Sequence, residues 1–398
     1  MIERDFLFMN IQPAQRLAAV SEYYFSRKLK EVARLNAEGR DIISLAIGSP
    51  DMPPSQQTID RLTEVAQLPN AHGYQPTMGT PELRTAMARF YQRWYGVTLD
   101  PTSEILPLIG SKEGILHVTL ALCNPGDRVL VPNPGYPTYT SLNRILGTEV
   151  VTYDLKEENG WQPNFQQLEK LCEQDVKVMW TNYPHMPTGA PATRELYERL
   201  VRFAQAHNLV IVNDNPYSFI LNEGERLSIL QVPGAKDCCI EFNSMSKSHN
   251  MPGWRVGMLA TNATFVSWIL KIKSNIDSGT FRALQLAAAD AFDNTDEWHR
   301  QANVETYRPR RRIAEQIMTQ LGCTFDPKQT GMFLWGRIPD TYPDVEELTE
   351  KVLHECRVFI TPGFIFGTNG ARYIRISLCA KEDKMQEALQ RIEEVFNS

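Results

Sequence analysis

A lysine flanked by small hydroxyl residues is the part of this sequence best suited to covalent chemistry. Lys247 ends the run Ser244-Met245-Ser246-Lys247, and Arg255 follows eight residues later among glycines. A lysine amine can form a Schiff base with an aldehyde. The hydroxyl groups of Ser244 and Ser246 and the guanidinium of Arg255 can hold a dianionic phosphate. An aldehyde that also carries a phosphate indicates pyridoxal phosphate (PLP) as the cofactor.

An acidic residue upstream fits the same cofactor. The PLP ring acts as an electron sink when its pyridine nitrogen is protonated, and a nearby carboxylate favours that form. Asp214 follows the apolar run 209–212, so it would lie at the carboxyl end of a strand, where open α/β sheets bind ligands. A lone aspartate there is more often a turn residue or a helix cap, and the lysine motif is what favours a cofactor role. Tyr217 could reach the phenolic oxygen of the cofactor.

Two glycine-containing loops supply candidates for holding a phosphate and a ring. Ser111 and Lys112 lie in the run 110–114, between an apolar segment and a helix, and free N–H groups at a helix N-terminus bind phosphate. Tyr136, in the run 133–137, could stack on the cofactor ring. The alternatives are an ordinary helix start for the first loop and a surface turn with a packing tyrosine for the second.

A late arginine is the candidate for binding a substrate. Arg375 lies among apolar residues in the strand-like segment 373–378. A buried guanidinium needs an anionic partner. The partner of Arg375 could be a substrate carboxylate or an acidic side chain in a structural salt bridge, and the sequence leaves both possible.

The elements that position these residues alternate between helix and strand from about residue 80. Helices are predicted over 81–94, 114–122 and 194–207, the first with Thr80 as its N-cap and Pro81 in its first position. A short strand is predicted at 41–47, ended by Gly48-Ser49-Pro50. Strands rich in Val and Ile are predicted at 128–131, 176–180 and 209–213, and this alternation indicates a mainly parallel sheet. Beyond residue 290, a smaller α+β domain is predicted from a long helix over 298–321, strands near 331–335 and 373–377, and a final helix from Lys381.

The composition, the net charge and the cysteine spacing exclude several classes of protein. The chain has 398 residues, of which 42% are hydrophobic and 22% charged, typical of a globular protein with two or three domains. The net charge is −6, and no basic run is interleaved with aromatic residues, so no nucleic-acid partner is expected. The N-terminus lacks a signal-peptide core, and no apolar run has membrane-spanning length. The seven cysteines are never spaced C-x-x-C, which favours reduced thiols in a cytoplasmic enzyme and no metal site.

The motifs occur in an order that resembles the class I/II aminotransferases of PLP fold type I over nearly the whole chain. The segments concerned are Ile47-Gly48-Ser49-Pro50-Asp51, Tyr74 with Gly79 and Glu82-Leu83-Arg84, the runs 110–114 and 134–137, Pro187-Thr188-Gly189, the runs 214–217 and 244–247 with Arg255, and Arg375-Ile376-Ser377. Each motif is modest by itself, whereas the ordered set is specific. The runs 22–25 and 48–51 look most like the branch containing LL-diaminopimelate and alanine aminotransferases.

This resemblance implies both a fold and an activity. The fold is α/β, with a large PLP-binding domain (46–290) whose mainly parallel seven-stranded sheet lies between helices. A small C-terminal α+β domain (291–398) follows, and residues 1–45 form an N-terminal arm and part of the small domain. The implied activity is ping-pong transfer of an amino group between an L-amino acid and a 2-oxo acid, 2-oxoglutarate or pyruvate, in a homodimer with shared active sites.

The resemblance also implies a role for each candidate. Lys247 would hold PLP as a Schiff base and then move a proton between the substrate and the cofactor. Asp214 would pair with the pyridinium nitrogen, Tyr217 would bind the phenolic oxygen, and Tyr136 would stack on the ring. The phosphate would be held by Ser111, Lys112, Ser244, Ser246 and Arg255. Arg375, with the backbone of Gly48, would bind the substrate carboxylate. Tyr74 would reach the phosphate of the neighbouring subunit, and Tyr23 would line the substrate pocket.

One position departs from the family pattern. Met186 precedes Pro187-Thr188-Gly189, where the family has an asparagine that donates to the phenolic oxygen of PLP. Without that donor, the pKa of the lysine–PLP imine is predicted to rise. A donor supplied by His185 or by water is the alternative.

Two other activities share the motifs. A carbon–sulfur β-lyase on the same fold needs the same lysine, so the sequence does not separate it from an aminotransferase. A ligand-sensing regulator would need an N-terminal DNA-binding domain. Fewer than 45 residues precede the first sheet-like motif, and they are not a basic helix-turn-helix, which disfavours that reading.

Overall fold

The fold places the candidate residues on a central sheet and on the loops that leave it. The computed structural model describes residues 12–19 and 24–397. The strands are β1 (Ile43–Ser44), β2 (Ile105–Leu108), β3 (Arg128–Asn133), β4 (Glu149–Asp154), β5 (Val176–Asn182), β6 (Val210–Asp214), β7 (Cys239–Ser244), β8 (Gly257–Ala260), β9 (Phe333–Arg337), β10 (Val358–Phe359), β11 (Thr361–Pro362) and β12 (Tyr373–Ser377). The helices are α1 (Tyr24–Ala37), α2 (Gln56–Ala66), α3 (Pro81–Tyr95), α4 (Ser111–Leu122), α5 (Pro137–Ile145), α6 (Phe165–Leu171), α7 (Arg194–His207), α8 (Met245–Ser248), α9 (Ala263–Lys273), α10 (Arg282–Asp293), α11 (Thr295–Gln301), α12 (Arg308–Gln320), α13 (Val345–His354) and α14 (Glu382–Phe396).

Seven strands form one sheet in the order β2-β8-β7-β6-β5-β3-β4. Within this sheet β8 alone is antiparallel to its neighbours β2 and β7, and the other pairings are parallel. Strands β6 and β7 are buried along almost their whole length, as expected for parallel strands covered on both faces. The predicted α/β fold with a mainly parallel seven-stranded sheet is confirmed.

The helix ends follow local chemistry. The Thr80 side chain accepts the Leu83 N–H at 3.3 Å, Pro81 occupies the first turn of α3, and Gly96 ends the helix with φ +64°. Helix α7 coincides with the predicted range 194–207. Among the described residues, no helix is both long enough and apolar enough to span a membrane.

The N-terminal segment packs against the C-terminal part of the chain. Strand β1 pairs in parallel with β10, and Val32 and Leu35 of α1 pack with Leu353 and Phe359. The predicted strand over 41–47 is shorter in the structure, because only Ile43 and Ser44 find strand partners. A second small sheet, in the order β11-β12-β9, is antiparallel and carries Arg375. The division of the chain at residues 45 and 290 stays a prediction.

The predicted long helix is interrupted by one π-helical segment. Residues 302–307, between α11 and α12, are π-helical. The Asn303 side chain in this segment accepts the Leu221 N–H at 2.7 Å and donates to the Phe219 carbonyl at 2.8 Å. The wider turn therefore ties the long helix to the loop that follows Tyr217, and π-bulges often occur at functional sites.

An ion pair of a buried arginine fixes the loop that contains Gly48. Arg310 of α12 donates to both carboxylate oxygens of Asp51, at 2.6 and 2.9 Å, and also to the Leu378 carbonyl at 3.1 Å. Such two-bond Arg–carboxylate pairs define geometry as well as energy. The pair therefore holds the Gly48 loop against α12 and the strand end that follows Arg375.

Candidate active site

A cavity of about 360 Å³ lies where β6 and β7 end. Its lining includes eleven of the predicted residues: Gly48, Ser111, Lys112, Tyr136, Asp214, Tyr217, Ser244, Ser246, Lys247, Arg255 and Arg375. The carboxyl ends of parallel strands meet at one edge of a sheet, which explains why residues so far apart in sequence converge.

Two predicted residues are not part of this lining. The Tyr74 side chain is 96% exposed. A role at the phosphate of a neighbouring subunit requires such exposure in a single chain. Tyr23 lies outside the described residues.

Lys247 lies in α8, directly after β7, and reaches across the cavity. Its amine donates to the carbonyl of Gly48. Burial lowers the pKa of Lys247 below its ordinary value, and the positive charges of Arg375 and Arg255 act in the same direction. A lower pKa makes more of the neutral amine available, and the neutral amine is the nucleophile and base.

Asp214 ends β6 with its two carboxylate oxygens in different surroundings. Oδ2 accepts the Tyr139 hydroxyl at 3.0 Å, whereas Oδ1 is buried with no hydrogen-bond partner among the described residues. Burial raises the pKa of Asp214 to about 7, and the Tyr139 hydrogen bond opposes that rise. A buried, unpartnered carboxylate oxygen on a cavity wall is what a protonated ring nitrogen would satisfy. The site therefore fits PLP at this point.

Tyr139 was not anticipated from the sequence. It lies in α5, one helical turn after Tyr136, and its ring stacks on Trp180 with centroids 5.3 Å apart. This packing aims the hydroxyl at Asp214. The spacing of the two tyrosines was a signal, because residues three apart in a helix share a face.

Replacing Tyr139 with phenylalanine should weaken PLP binding and lower kcat about tenfold, since a hydrogen bond to a charged group contributes about 1.5–3 kcal/mol. The pKa of Asp214 should rise further, so the loss should be greater at low pH. PLP retained after gel filtration and the pH profile of kcat measure this. Tyr153→Phe is the matched control, because its hydroxyl donates to the Trp180 carbonyl at 2.8 Å and does not line the cavity. Equal PLP loss in both variants would show that Tyr139 has no particular role.

The phosphate candidates form a tight cradle around Gly110. A Cβ at Gly110, which has φ +75°, would overlap the Arg255 guanidinium. Ser111 begins α4, and the Ser244 hydroxyl caps α8 by accepting the Ser246 N–H at 3.2 Å. Arg255 itself has φ +57°, which is uncommon for a residue with a Cβ. Free helix N–H groups, hydroxyls and a guanidinium together suit a phosphate.

Arg375 is buried in β12 beside apolar groups. Nη2 donates to the Ala46 carbonyl at 2.9 Å, and Nη1 lies 3.5 Å from the Met186 sulfur. The guanidinium carbon lies 4.0 Å from the Phe333 ring centre and 4.6 Å from that of Phe366. A cation held between rings keeps a fixed orientation.

The structure also bears on the expected donor to the phenolic oxygen. The Met186 side chain lines the cavity, and its backbone N–H donates to Asn182 Oδ1 at 2.9 Å. His185 pairs through Nδ1 with the Thr188 hydroxyl at 2.8 Å and is absent from the described lining. Tyr217 does line the cavity, and burial raises the pKa of its phenol, so the phenol stays protonated and able to donate. The raised imine pKa stays a prediction, and His185 is disfavoured as the substitute donor.

Comparisons with known proteins show what the whole chain is similar to. A family model described as aminotransferase class I and II matches residues 40–392. The LL-diaminopimelate aminotransferase of Oleidesulfovibrio alaskensis is 40% identical over 381 residues, which cover 95% of this chain and 98% of that protein. The enzyme of the same name from Moorella thermoacetica is 39% identical over 387 residues, covering 97% and 99%. The substrate-bound structure of BacF from Bacillus subtilis matches with a TM-score of 0.91 at 32% identity, covering 97% of this chain and 98% of that one.

Proposed function

The chain belongs to the class I and II aminotransferases and is a PLP-dependent aminotransferase, and from this premise we propose how its own residues perform the transfer. The proposal is a ping-pong reaction at the cavity around Lys247, with an L-amino acid as donor and 2-oxoglutarate or pyruvate as acceptor. The observation that supports it best is that the Lys247 amine, the unpartnered Oδ1 of Asp214 and the Arg375 guanidinium share one cavity.

Each group of residues has one task in this proposal. When bound, PLP supplies an aldehyde that links to amines and a protonated ring that withdraws electrons from the substrate α-carbon. Asp214 keeps the ring nitrogen protonated, and Tyr217 donates to the phenolic oxygen. Tyr136 stacks on the ring. Ser111 and Lys112 through their backbone, together with Ser244, Ser246 and Arg255, hold the phosphate.

Lys247 and Arg375 act on the substrate. Arg375 binds the α-carboxylate, with the backbone of Gly48 assisting, and so presents the α-hydrogen to one face of the site. Lys247, with its amine free, would take up that proton as a general base and would release it again within the site. Its depressed pKa suits this work, because the amine must be neutral to accept a proton.

The proposed active unit is a homodimer. Tyr74 is almost fully exposed, and two other exposed apolar residues, Ile276 and Phe281, lie near it along the Gln75–Gly279 bridge. Exposed apolar residues in two segments joined by this bridge favour a second subunit there. A reducing, cytoplasmic location is also proposed, supported by the seven cysteines, all present as free thiols.

The test separates amino transfer from carbon–sulfur bond cleavage. The enzyme is mixed with a panel of L-amino acids and a 2-oxo acid, and the products are measured by mass spectrometry. We expect the oxo acid to be converted to its amino acid in a 1:1 ratio with the donor consumed. Release of ammonia and pyruvate without consumption of the added oxo acid would instead establish a β-lyase.

A further inference from the structure

The wall of the cavity beside Arg375 is apolar. Phe333 and Phe366 flank the guanidinium, the Met186 sulfur touches it, and Phe25 and Ile365 complete this part of the lining. A substrate bound by Arg375 at its carboxylate would place its side chain in the remaining space of the cavity, which these apolar groups line. Here we call these five residues the side-chain wall.

The side-chain wall is held rigid from two directions. Tyr24, next to Phe25 in α1, packs edge-on against Phe364 with ring centres 4.9 Å apart. The Phe366 carbonyl accepts the Gly135 N–H at 2.8 Å, so the segment that contains Ile365 is fastened to the Tyr136 loop. Because these residues are fixed, they cannot easily move apart to admit water around a charged side chain of the substrate.

The charged groups of the described lining all belong to other tasks. They are Lys112, Asp214, Lys247, Arg255 and Arg375. Asp214 and Lys247 serve the ring and the chemistry, and Arg375 serves the α-carboxylate. Lys112 adjoins Ser111, and the Arg255 guanidinium lies against Gly110, so both belong to the phosphate cradle.

Two cations behind the cavity lining are already paired. Lys28, one turn after Phe25, is bound by Glu31 at 2.9 Å and by Glu350 at 2.5 Å. Arg310, behind the Gly48 loop, is bound by both oxygens of Asp51. Neither lines the cavity among the described residues. A distal carboxylate or ammonium placed at the wall would therefore lose its hydration without gaining a charged partner from the described residues of the same chain.

From these contacts we infer that the amino donor of this enzyme has an uncharged, apolar side chain of medium to large size, such as phenylalanine, leucine or methionine. This inference rests on the proposed function, because it uses Arg375 as the α-carboxylate site. LL-diaminopimelate, named for the relatives, carries a second ammonium and carboxylate at its distal end. The same wall receives the side chain of the oxo acid, so pyruvate and larger apolar oxo acids are favoured over 2-oxoglutarate.

Single half-reactions of the holoenzyme test this without a second substrate. The PLP absorbance of the wild-type enzyme is followed after mixing with L-phenylalanine, L-leucine, L-methionine, L-glutamate or LL-diaminopimelate. We expect the second-order rate constant for the best apolar amino acid to exceed that for either charged amino acid by at least about 100-fold. Sites that leave a buried polar group of the substrate unpaired discriminate at least this strongly. A better rate with LL-diaminopimelate or L-glutamate would overturn the inference and leave the proposed function standing. No reaction with any amino acid of a full panel would overturn the proposed function.

A charge placed in the wall gives a second, independent readout. In the Ile365→Lys variant, the rate constant for L-glutamate relative to that for L-phenylalanine should rise by at least about tenfold, because the new lysine supplies a cation for the distal carboxylate. Ile365→Met, of similar length and without charge, is the matched control and should keep the wild-type preference. An unchanged ratio in a folded Ile365→Lys enzyme would contradict the assignment of the wall. Should that variant fail to fold, the wild-type ranking alone decides the question.

Discussion

Replacing Lys247 with alanine should lower kcat by at least about 10³-fold, because the variant loses the residue proposed to be both the attachment point and the general base. The amine lies within the cavity, against the Gly48 carbonyl, and among the described lining residues only one other lysine, Lys112, is present. Steady-state transamination with the best donor measures the effect.

Lys112→Ala is the matched control for this experiment. Lys112 also lines the cavity, but its proposed contribution comes from its backbone, which the substitution leaves in place. Its kcat should fall by tenfold or less. Circular dichroism would establish that both variants are folded. Similar losses in the two variants would contradict the separate role of Lys247.

Replacing Asp214 with asparagine should have opposite effects on the protein with and without PLP. With PLP bound, the variant lacks the negative charge opposite the ring nitrogen. We therefore expect kcat to fall by at least about 10²-fold and PLP to dissociate faster. Asparagine has nearly the same shape, so packing is little changed.

After removal of PLP, the same substitution should stabilise the protein at pH 8. Burial raises the pKa of Asp214 to about 7 in the folded state, against about 3.9 in an unfolded chain. The folded state thus holds the proton more tightly, and its stability falls as the pH rises from about 4 through 7. A difference of roughly three units corresponds to about 4 kcal/mol at pH 8, and the neutral asparagine removes it. Urea unfolding of the PLP-free proteins at pH 5 and pH 8 measures this.

Glu241→Gln supplies the control for a buried carboxylate outside the cavity. Its carboxylate accepts hydrogen bonds from Ser228, Tyr91, Asn213 and the Ile229 N–H. Losing part of this network should cost about 1–3 kcal/mol, with little change in PLP retention. Burial raises the pKa of Glu241 as well, so the loss should be smaller at pH 8 than at pH 5. An Asp214→Asn protein that behaves the same way, destabilised at pH 8 whether or not PLP is present, would contradict the cofactor role.

Much of the site could be read from the order of local motifs. The apolar run 209–212 before Asp214 and the hydroxyl–lysine run at 244–247 are each made by a few consecutive residues. Helix α7 and strand β12 coincide with the predicted ranges because their apolar periodicity and caps are local. The boundaries were less accurate at β1, where pairing with a distant strand decides the length.

Other features depend on segments that meet only after folding. The Tyr139–Asp214 hydrogen bond joins residues 75 positions apart, and the Met186–Arg375 contact joins residues 189 apart. Within the π-helical segment at 302–307, Asn303 binds the loop at 219–221, and no pattern within the helix reveals that contact. The sequence contains these residues but no local signal of their partners.

The sequence by itself therefore determined the fold class, the cofactor and the residues proposed to bind it, because these depend on short motifs whose chemistry is complete within a few residues. Only the tertiary structure decided what surrounds Arg375. Phe25 and Ile365 come from opposite ends of the chain, and Lys28 and Arg310 are drawn into ion pairs behind them. The proposed preference for an apolar side chain rests on that arrangement, since desolvation and charge pairing are properties of packed neighbours.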